Sequence, residues 1–199
     1  MGKNYGGGQV RRPNDFYLTP AWGTEYMLEV LPFPINPGII LEPCCGARDI
    51  VRVVEQGNPA VFTCDVDPKH QPDLVADMTM RESWDEAIER IGCNPDWVIT
   101  NPPFNAAHHI LPLALEYSAK GVIALLRLSY SEPCENRSRW LYDNQERQSI
   151  LYLPRRISFT GDGATDNVAT AWFIWGKTER LAPPFIYPRV EVAQMGLAV

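Results

Sequence analysis

Four short runs of mostly apolar residues punctuate the first two-thirds of the chain: Ile39-Ile40-Leu41, Val61-Phe62-Thr63-Cys64, Trp97-Val98-Ile99 and Val122-Ile123-Ala124-Leu125-Leu126. A continuous apolar run bounded by turn residues marks a strand buried on both faces, as in a parallel sheet. Helical patterns lie between the runs, from Asp49 to Glu55, Arg81 to Ile91 and Asn105 to Ser118, and one precedes them, from about Pro20 to Val30. Thr19 can cap that first helix, and Pro20 suits its first turn. Leu31-Pro32-Phe33-Pro34 and Pro37-Gly38 then break the chain. Strands alternating with helices predict a parallel sheet with helices on both faces. After residue 128 the texture changes. Residues 129–148 are polar and arginine-rich, and two β-like segments follow, Ile150–Leu153 and Val168–Trp175, with no long helix between them. These predict a terminal hairpin that closes the sheet. Residues 1–15 are rich in Gly, Arg and Asn and read as a flexible arm. The remainder reads as one domain over residues 16–180 with a tail at 181–199.

Composition narrows the class. The 199 residues are 45% hydrophobic and 21% charged, which excludes a disordered chain. No apolar run approaches the ~18 residues of a membrane span. Met1-Gly2-Lys3-Asn4-Tyr5 is not followed by the apolar stretch of a signal peptide. Five cysteines, an odd count without C-x-x-C spacing, argue against a disulfide framework and a zinc site. His108 and His109 are adjacent and would point to different helix faces, so these and His70 are read as surface residues with no metal role. A cytoplasmic location follows as an expectation. The net charge of −6 disfavours nonspecific coating of nucleic acid. Its distribution matters more. Residues 21–126 hold six basic and fifteen acidic side chains, whereas residues 1–20 and 127–156 are each net +2.

Candidate chemistry sits at the strand ends. Gly38-Ile-Ile-Leu-Glu42-Pro43-Cys44-Cys45-Gly46-Ala47 is a strand running into a tight turn and then a helix. Ligands of doubly wound folds bind where such turns leave the strands. The dinucleotide glycine fingerprint and the phosphate-loop lysine are both missing. An acid at this strand end suits a cationic or amine-bearing ligand instead. About twenty residues on, a second strand ends at Asp65, where a carboxylate can accept both hydroxyls of a ribose. Asp77 follows Leu74-Val75-Ala76 and is placed to receive an exocyclic amine such as that of adenine.

The most specific feature is Asp96-Trp97-Val98-Ile99-Thr100-Asn101-Pro102-Pro103-Phe104. Each proline fixes φ and removes a backbone donor, so the turn presents carbonyls without competing N–H groups. The Asn101 side-chain oxygen and the Pro102 carbonyl can both accept from one NH2 group. Such a pair draws an aromatic amine toward tetrahedral geometry and frees its lone pair. Phe104 offers a face for a planar base. The alternative role for Asn101 is a cap on the helix beginning near Asn105. Two Pro-Cys pairs, Pro43-Cys44 and Pro133-Cys134, suggest a cytosine-C5 mechanism, but the position after the fourth strand that would hold its nucleophile is Asn101.

Leu41-Glu-Pro-Cys-Cys-Gly46, Asp65, Asp77 and Asn101-Pro-Pro-Phe104, in this order and spacing, resemble the S-adenosylmethionine-dependent amino-methyltransferases. Within them the chain looks most like the small phage- or prophage-type DNA N6-adenine methyltransferases. Asp15-Phe-Tyr17-Leu-Thr19-Pro20 resembles the motif that closes over the methionine part of the cofactor, and Arg155-Arg-Ile-Ser-Phe159 with Val168–Trp175 resembles the late motif and final strand. The resemblance spans about residues 15–177. It implies a Rossmann-like class I methyltransferase fold, α/β, with a seven-stranded, mostly parallel sheet whose terminal strand is antiparallel. It implies S-adenosyl-L-methionine as cofactor and methyl transfer to adenine N6 in duplex DNA, after the base is flipped out, in a bacterial or phage-infected cell. Catalytic residues are then Asn101, Pro102, Pro103 and Phe104. Tyr17, Thr19, Pro20, Glu42, Pro43, Cys44, Gly46, Asp65 and Asp77 hold the cofactor. Residues 129–148, with Arg137, Arg139, Trp140 and Arg147, are expected to contact DNA, together with Phe159. RNA adenine, a protein glutamine amide, or no substrate at all in a cofactor-binding relic remain alternatives. The motif Asn101-Pro-Pro-Phe104 opposes the last, since a relic has no need of the acceptors.

Overall fold

The structure is a computed structural model, and it describes residues 18–57, 60–157 and 168–188. The N-terminal arm, Tyr17, Phe159 and most of the tail lie outside the described residues. In chain order the elements are α1 (Ala21–Val30), β1 (Ile39–Glu42), α2 (Asp49–Val54), β2 (Ala60–Asp65), β3 (Leu74–Val75), α3 (Arg81–Ile91), β4 (Trp97–Thr100), α4 (Ala107–Tyr117), β5 (Gly121–Arg127), α5 (Ser138–Asn144), β6 (Gln148–Tyr152), β7 (Thr170–Gly176) and β8 (Phe185–Ile186).

The strands form one sheet in the order β3-β2-β1-β4-β5-β7-β6-β8. β1 to β5 run parallel to one another. β7 inserts antiparallel between β5 and β6. The expected antiparallel strand is therefore present, and the two-residue β8 adds an eighth member parallel to β6.

The apolar runs are buried on both faces because the side chains alternate between two cores. Val98, Val122, Ala124, Leu126, Phe173 and Trp175 face α3 and α4, where Trp84, Ala87, Leu111 and Ala114 meet them. Trp97, Ile99, Ile123, Leu125, Trp172 and Ile174 face α1 and α2, through Met27, Ile50 and Val54. Segment 129–148 contains helix α5, whose Trp140 and Leu141 pack on the first of these cores; the Trp140 ring lies 4.9 Å from that of Trp175.

Thr19 does not cap α1. Pro20 holds the cap position and no side chain caps the helix. α1 is instead tied sideways: Trp172 Nε1 in β7 donates to the Gly23 carbonyl at 2.9 Å. Strand order reverses at β1, which pairs with β2 on one side and β4 on the other. The carboxyl ends of β1 and β4 therefore diverge and leave a crevice.

Candidate active site

The crevice is a cavity of about 310 Å³, in the range of small-molecule sites. Glu42, Pro43, Cys44 and Gly46 reach it from the end of β1, Asp65 and Asp67 from the end of β2, and Asp77 from beyond β3. Thr19, Asp49, Asn101 and Pro103 close it on the side of α1, α2 and β4. Of the proposed cofactor residues, Pro20 stands outside this lining, at the cap of α1.

Asp65 ties the first two turns together. Its Oδ2 accepts from the Gly46 N–H and its Oδ1 from the Asp67 N–H, both at 2.8 Å. Gly46 adopts φ of 46°, a left-handed conformation that favours glycine, so its N–H can turn toward Asp65. Each Asp65 oxygen keeps a second lone pair, so the bracing leaves acceptor capacity for a hydroxyl. Asp77 similarly accepts from the Thr79 N–H at 3.0 Å and the Thr79 hydroxyl at 2.7 Å.

Glu42 is buried. Its Oε1 accepts from the Cys44 N–H at 3.2 Å, and its Oε2 has no hydrogen-bond partner among the described residues. Burial pushes its pKa up to about 8, against the Thr100 hydroxyl and the Cys44 N–H, which favour the carboxylate. A buried carboxyl beside an acid-lined cavity suits a cation. Burial also pushes the Cys44 thiol far above its ordinary range, so it is no thiolate nucleophile. Cys134 is exposed in the stretch after β5, away from the cavity lining.

Asn101 follows the last residue of β4, where the apolar strand gives way to the proline turn. Its Nδ2 donates to Thr19 Oγ1 at 3.0 Å, and the Thr19 N–H donates to Asp49 Oδ2 at 3.1 Å. Asn101 is therefore not the cap of α4, which begins after Ala106 without a side-chain cap. The bond fixes the plane of the amide and directs its oxygen away from Thr19. Pro102 is buried, and neither it nor Phe104 is among the residues that line the cavity. Phe104 is half-buried against the α1 core, and the Arg127 guanidinium lies over its ring, 4.4 Å from the centroid.

The arginines of segment 129–148 serve varied ends. Arg137 donates from Nε to the carbonyls of Tyr130 and Glu132, and from Nη2 to that of Ser129. Arg147 bonds the Lys177 carbonyl and Asn144, at the edge of the sheet opposite the cavity. Arg139 pairs with Asp143 at 3.0 Å on the exposed side of α5. His70 lines the cavity rather than open surface, and the rings of His108 and His109 meet at 4.0 Å instead of diverging. Sequence reasoning missed Asp49, Asp67 and Arg127 as site neighbours. The acid in the first turn of α2 was a signal for Asp49.

No protein-family model matches the sequence, and no curated protein does. Solved structures do. A type I restriction-modification methyltransferase subunit from Streptococcus thermophilus superposes with a TM-score of 0.61 at 12% identity, over 82% of this chain and 45% of that one. A Listeria monocytogenes protein assigned to the class I S-adenosylmethionine-dependent methyltransferases gives 0.51 at 14% identity, over 91% and 67%. The 23S rRNA methyltransferase ErmE gives 0.55 at 13%, over 84% and 72%. The chain thus spans under half of the restriction-enzyme subunit it matches. At these identities the likeness is one of fold, and the fold is that of the class I methyltransferases.

Proposed function

We propose that the chain transfers a methyl group from S-adenosylmethionine to the N6 of adenine in DNA. The observation that carries this reading is the Asn101 amide, fixed by Thr19 at the mouth of an acid-lined cavity in a methyltransferase fold. The cavity fits this cofactor: the Glu42 carboxyl, buried at the end of β1 beside the cavity, matches an ammonium, and the surrounding carboxylates match a ligand that carries positive charge. Glu42 with the Pro43–Gly46 turn would hold the amino-acid part, Asp65 the ribose and Asp77 the adenine amine. When bound, the cofactor supplies an electrophilic methyl group.

The chain's own residues do the rest. The Asn101 oxygen and the Pro102 carbonyl accept the two hydrogens of the target amine. As positive charge develops on that nitrogen, both acceptors bind it more strongly than in the ground state. The paired prolines keep competing N–H donors out of the turn. Phe104 supports the base.

The likeness to an rRNA methyltransferase favours one second reading, adenine in RNA. Both are tested by incubating the protein with labelled cofactor and DNA or RNA, followed by digestion to nucleosides. N6-methyladenosine or its deoxy form is expected. Asn101→Ala should lower the rate by on the order of 10²–10³, the scale for losing one preorganised polar contact. Label on any other nucleoside, or a folded Asn101→Ala protein with wild-type rate, overturns the assignment.

A further inference from the structure

The charge around the Asn101 loop changes sign across it. On the cavity side Glu42, Asp49, Asp65, Asp67 and Asp77 surround a single lysine, Lys69, which is itself paired with Asp67. A phosphate would be repelled there. On the other side the sheet ends in arginines. Arg127 closes β5, and its partner in register is Thr170, the first residue of β7. The end of β6 pairs with the same end of β7, through Tyr152 and Ala171. The stretch after β6, carrying exposed Arg155 and Arg156, therefore leaves the same edge of the sheet as Arg127.

Each side of this edge carries an arginine stacked on an aromatic ring. The Arg127 guanidinium lies 4.4 Å from the centre of Phe104, and that of Arg155 lies 4.5 Å from the centre of Trp22. Both rings belong to the α1 face of the core. Trp22 sits one turn beyond Thr19, the residue that bonds Asn101. None of the ion pairs among the described residues engages Arg127, Arg155 or Arg156. A guanidinium held over a ring face by its carbon keeps N–H groups available for an anion, and phosphate is the anion its fork geometry fits best.

We propose that this edge, with Arg127 over Phe104 and Arg155 over Trp22, is the track that grips the phosphates flanking the target nucleotide. The proposal rests on reading the site as a nucleic-acid methyltransferase, and it moves the contact surface away from segment 129–148. There Arg137 is spent on three carbonyls, and Arg147 stands at the opposite edge. A base seated at Asn101 carries its phosphates outward, away from the acidic cavity. The arginine edge lies on that side. Stacked arginines and aromatics along a basic groove also suit single-stranded nucleic acid, which is the local state of a strand whose base has been pulled out.

The test is oligonucleotide binding, read by fluorescence anisotropy across a salt series, for the wild type, Arg155→Gln and Arg127→Gln/Arg155→Gln, with Arg90→Gln as a distant surface control. The slope of log affinity against log salt should fall by about 0.7 for Arg155→Gln and about 1.4 for the double variant, one single-strand phosphate contact each. Arg127→Lys should retain its share of the slope, because the charge remains. Cofactor affinity by calorimetry should stay within two-fold throughout. Arg155 is exposed, so its single variant reads the surface even if the double variant misfolds. An unchanged slope in Arg155→Gln, or a slope that falls for Arg139→Gln instead, overturns the proposal. So does a wild-type protein that binds neither DNA nor RNA. A wild type that binds through these arginines yet methylates no adenine leaves the track standing and removes the adenine reading; one that methylates with an arginine-independent slope does the reverse.

Discussion

Thr19→Val isolates the orientation of the Asn101 amide from its presence. Valine is nearly isosteric with threonine and removes only the hydroxyl that accepts from Nδ2 at 3.0 Å. The bond between the Thr19 N–H and Asp49 uses the backbone and survives the change. An amide has two orientations that differ in whether O or NH2 faces the substrate amine. A net hydrogen bond of about 1–1.5 kcal/mol holds the productive one, equivalent to roughly five- to tenfold. With valine this bond no longer separates the two orientations, and an even split puts half of the molecules in the wrong one. Two-fold is therefore the floor. The ceiling is the 10²–10³ expected for losing the acceptor entirely. An amide that has lost this bond should fall between them, at about tenfold, or ~1.4 kcal/mol. The assay is single-turnover methyl transfer at saturating cofactor, which removes any effect of Thr19 on cofactor binding from the rate. Thr19→Ser keeps the hydroxyl and should return the rate to within two- or three-fold of wild type. A Thr19→Val protein with the wild-type single-turnover rate would refute the role of Thr19, and so would a loss that serine fails to rescue.

The other predictions concern the cofactor end. Glu42, with a pKa of about 8, is mostly protonated at pH 7, and a bound ammonium would favour its carboxylate. Cofactor binding at pH 7 should therefore release up to about one proton, seen as a binding enthalpy that varies with buffer ionisation enthalpy. Affinity should rise toward pH 8 and level off above it; Glu42→Gln should abolish the buffer dependence, and its persistence would place the proton elsewhere. Asp65→Ala removes the acceptors of two backbone N–H groups as well as those offered to the ribose. It should weaken cofactor binding about 10- to 150-fold, from 1.5–3 kcal/mol for hydrogen bonds to a charged group, and lower the melting temperature as well. Unchanged affinity in calorimetry would take Asp65 out of the site.

What the sequence disclosed and what it hid divide along range of interaction. β4 and β5 were legible because nearly every residue in them is buried, so a bare apolar run suffices. α3 was legible to its ends because Gly92, in the left-handed conformation, stops it. β8 was not, since two residues, Phe185 and Ile186, carry no period. Thr19 misled for a physical reason. A threonine before a helix is an ordinary cap, and nothing local reveals a partner 82 residues away. The arginines of segment 129–148 show the same limit, because charge alone does not distinguish a phosphate ligand from a brace on backbone carbonyls, which is what Arg137 is here. Asp65 could be placed at the end of β2 from the pattern, but its ties to Gly46 and Asp67 depend on two loops meeting.

The bond from Trp172 to Gly23 joins residues 149 positions apart, and it ties down the helix that follows Thr19 and Pro20, Thr19 being the residue that bonds Asn101. On the ribosome the chain emerges from its N-terminus, so α1 is made first and its dock in β7 almost last. β5 likewise waits for β7, since the inserted strand covers its whole length from Gly121 to Arg127. The nascent chain can assemble β1 to β4 early, from contacts of modest sequence separation, and must wait for the long-range closures. Under the proposed reading, activity would be a late event in biosynthesis: a ribosome-stalled chain ending before Thr170 carries Glu42, Asp65 and the Asn101 loop, but lacks the β7 bond that ties α1 to the sheet.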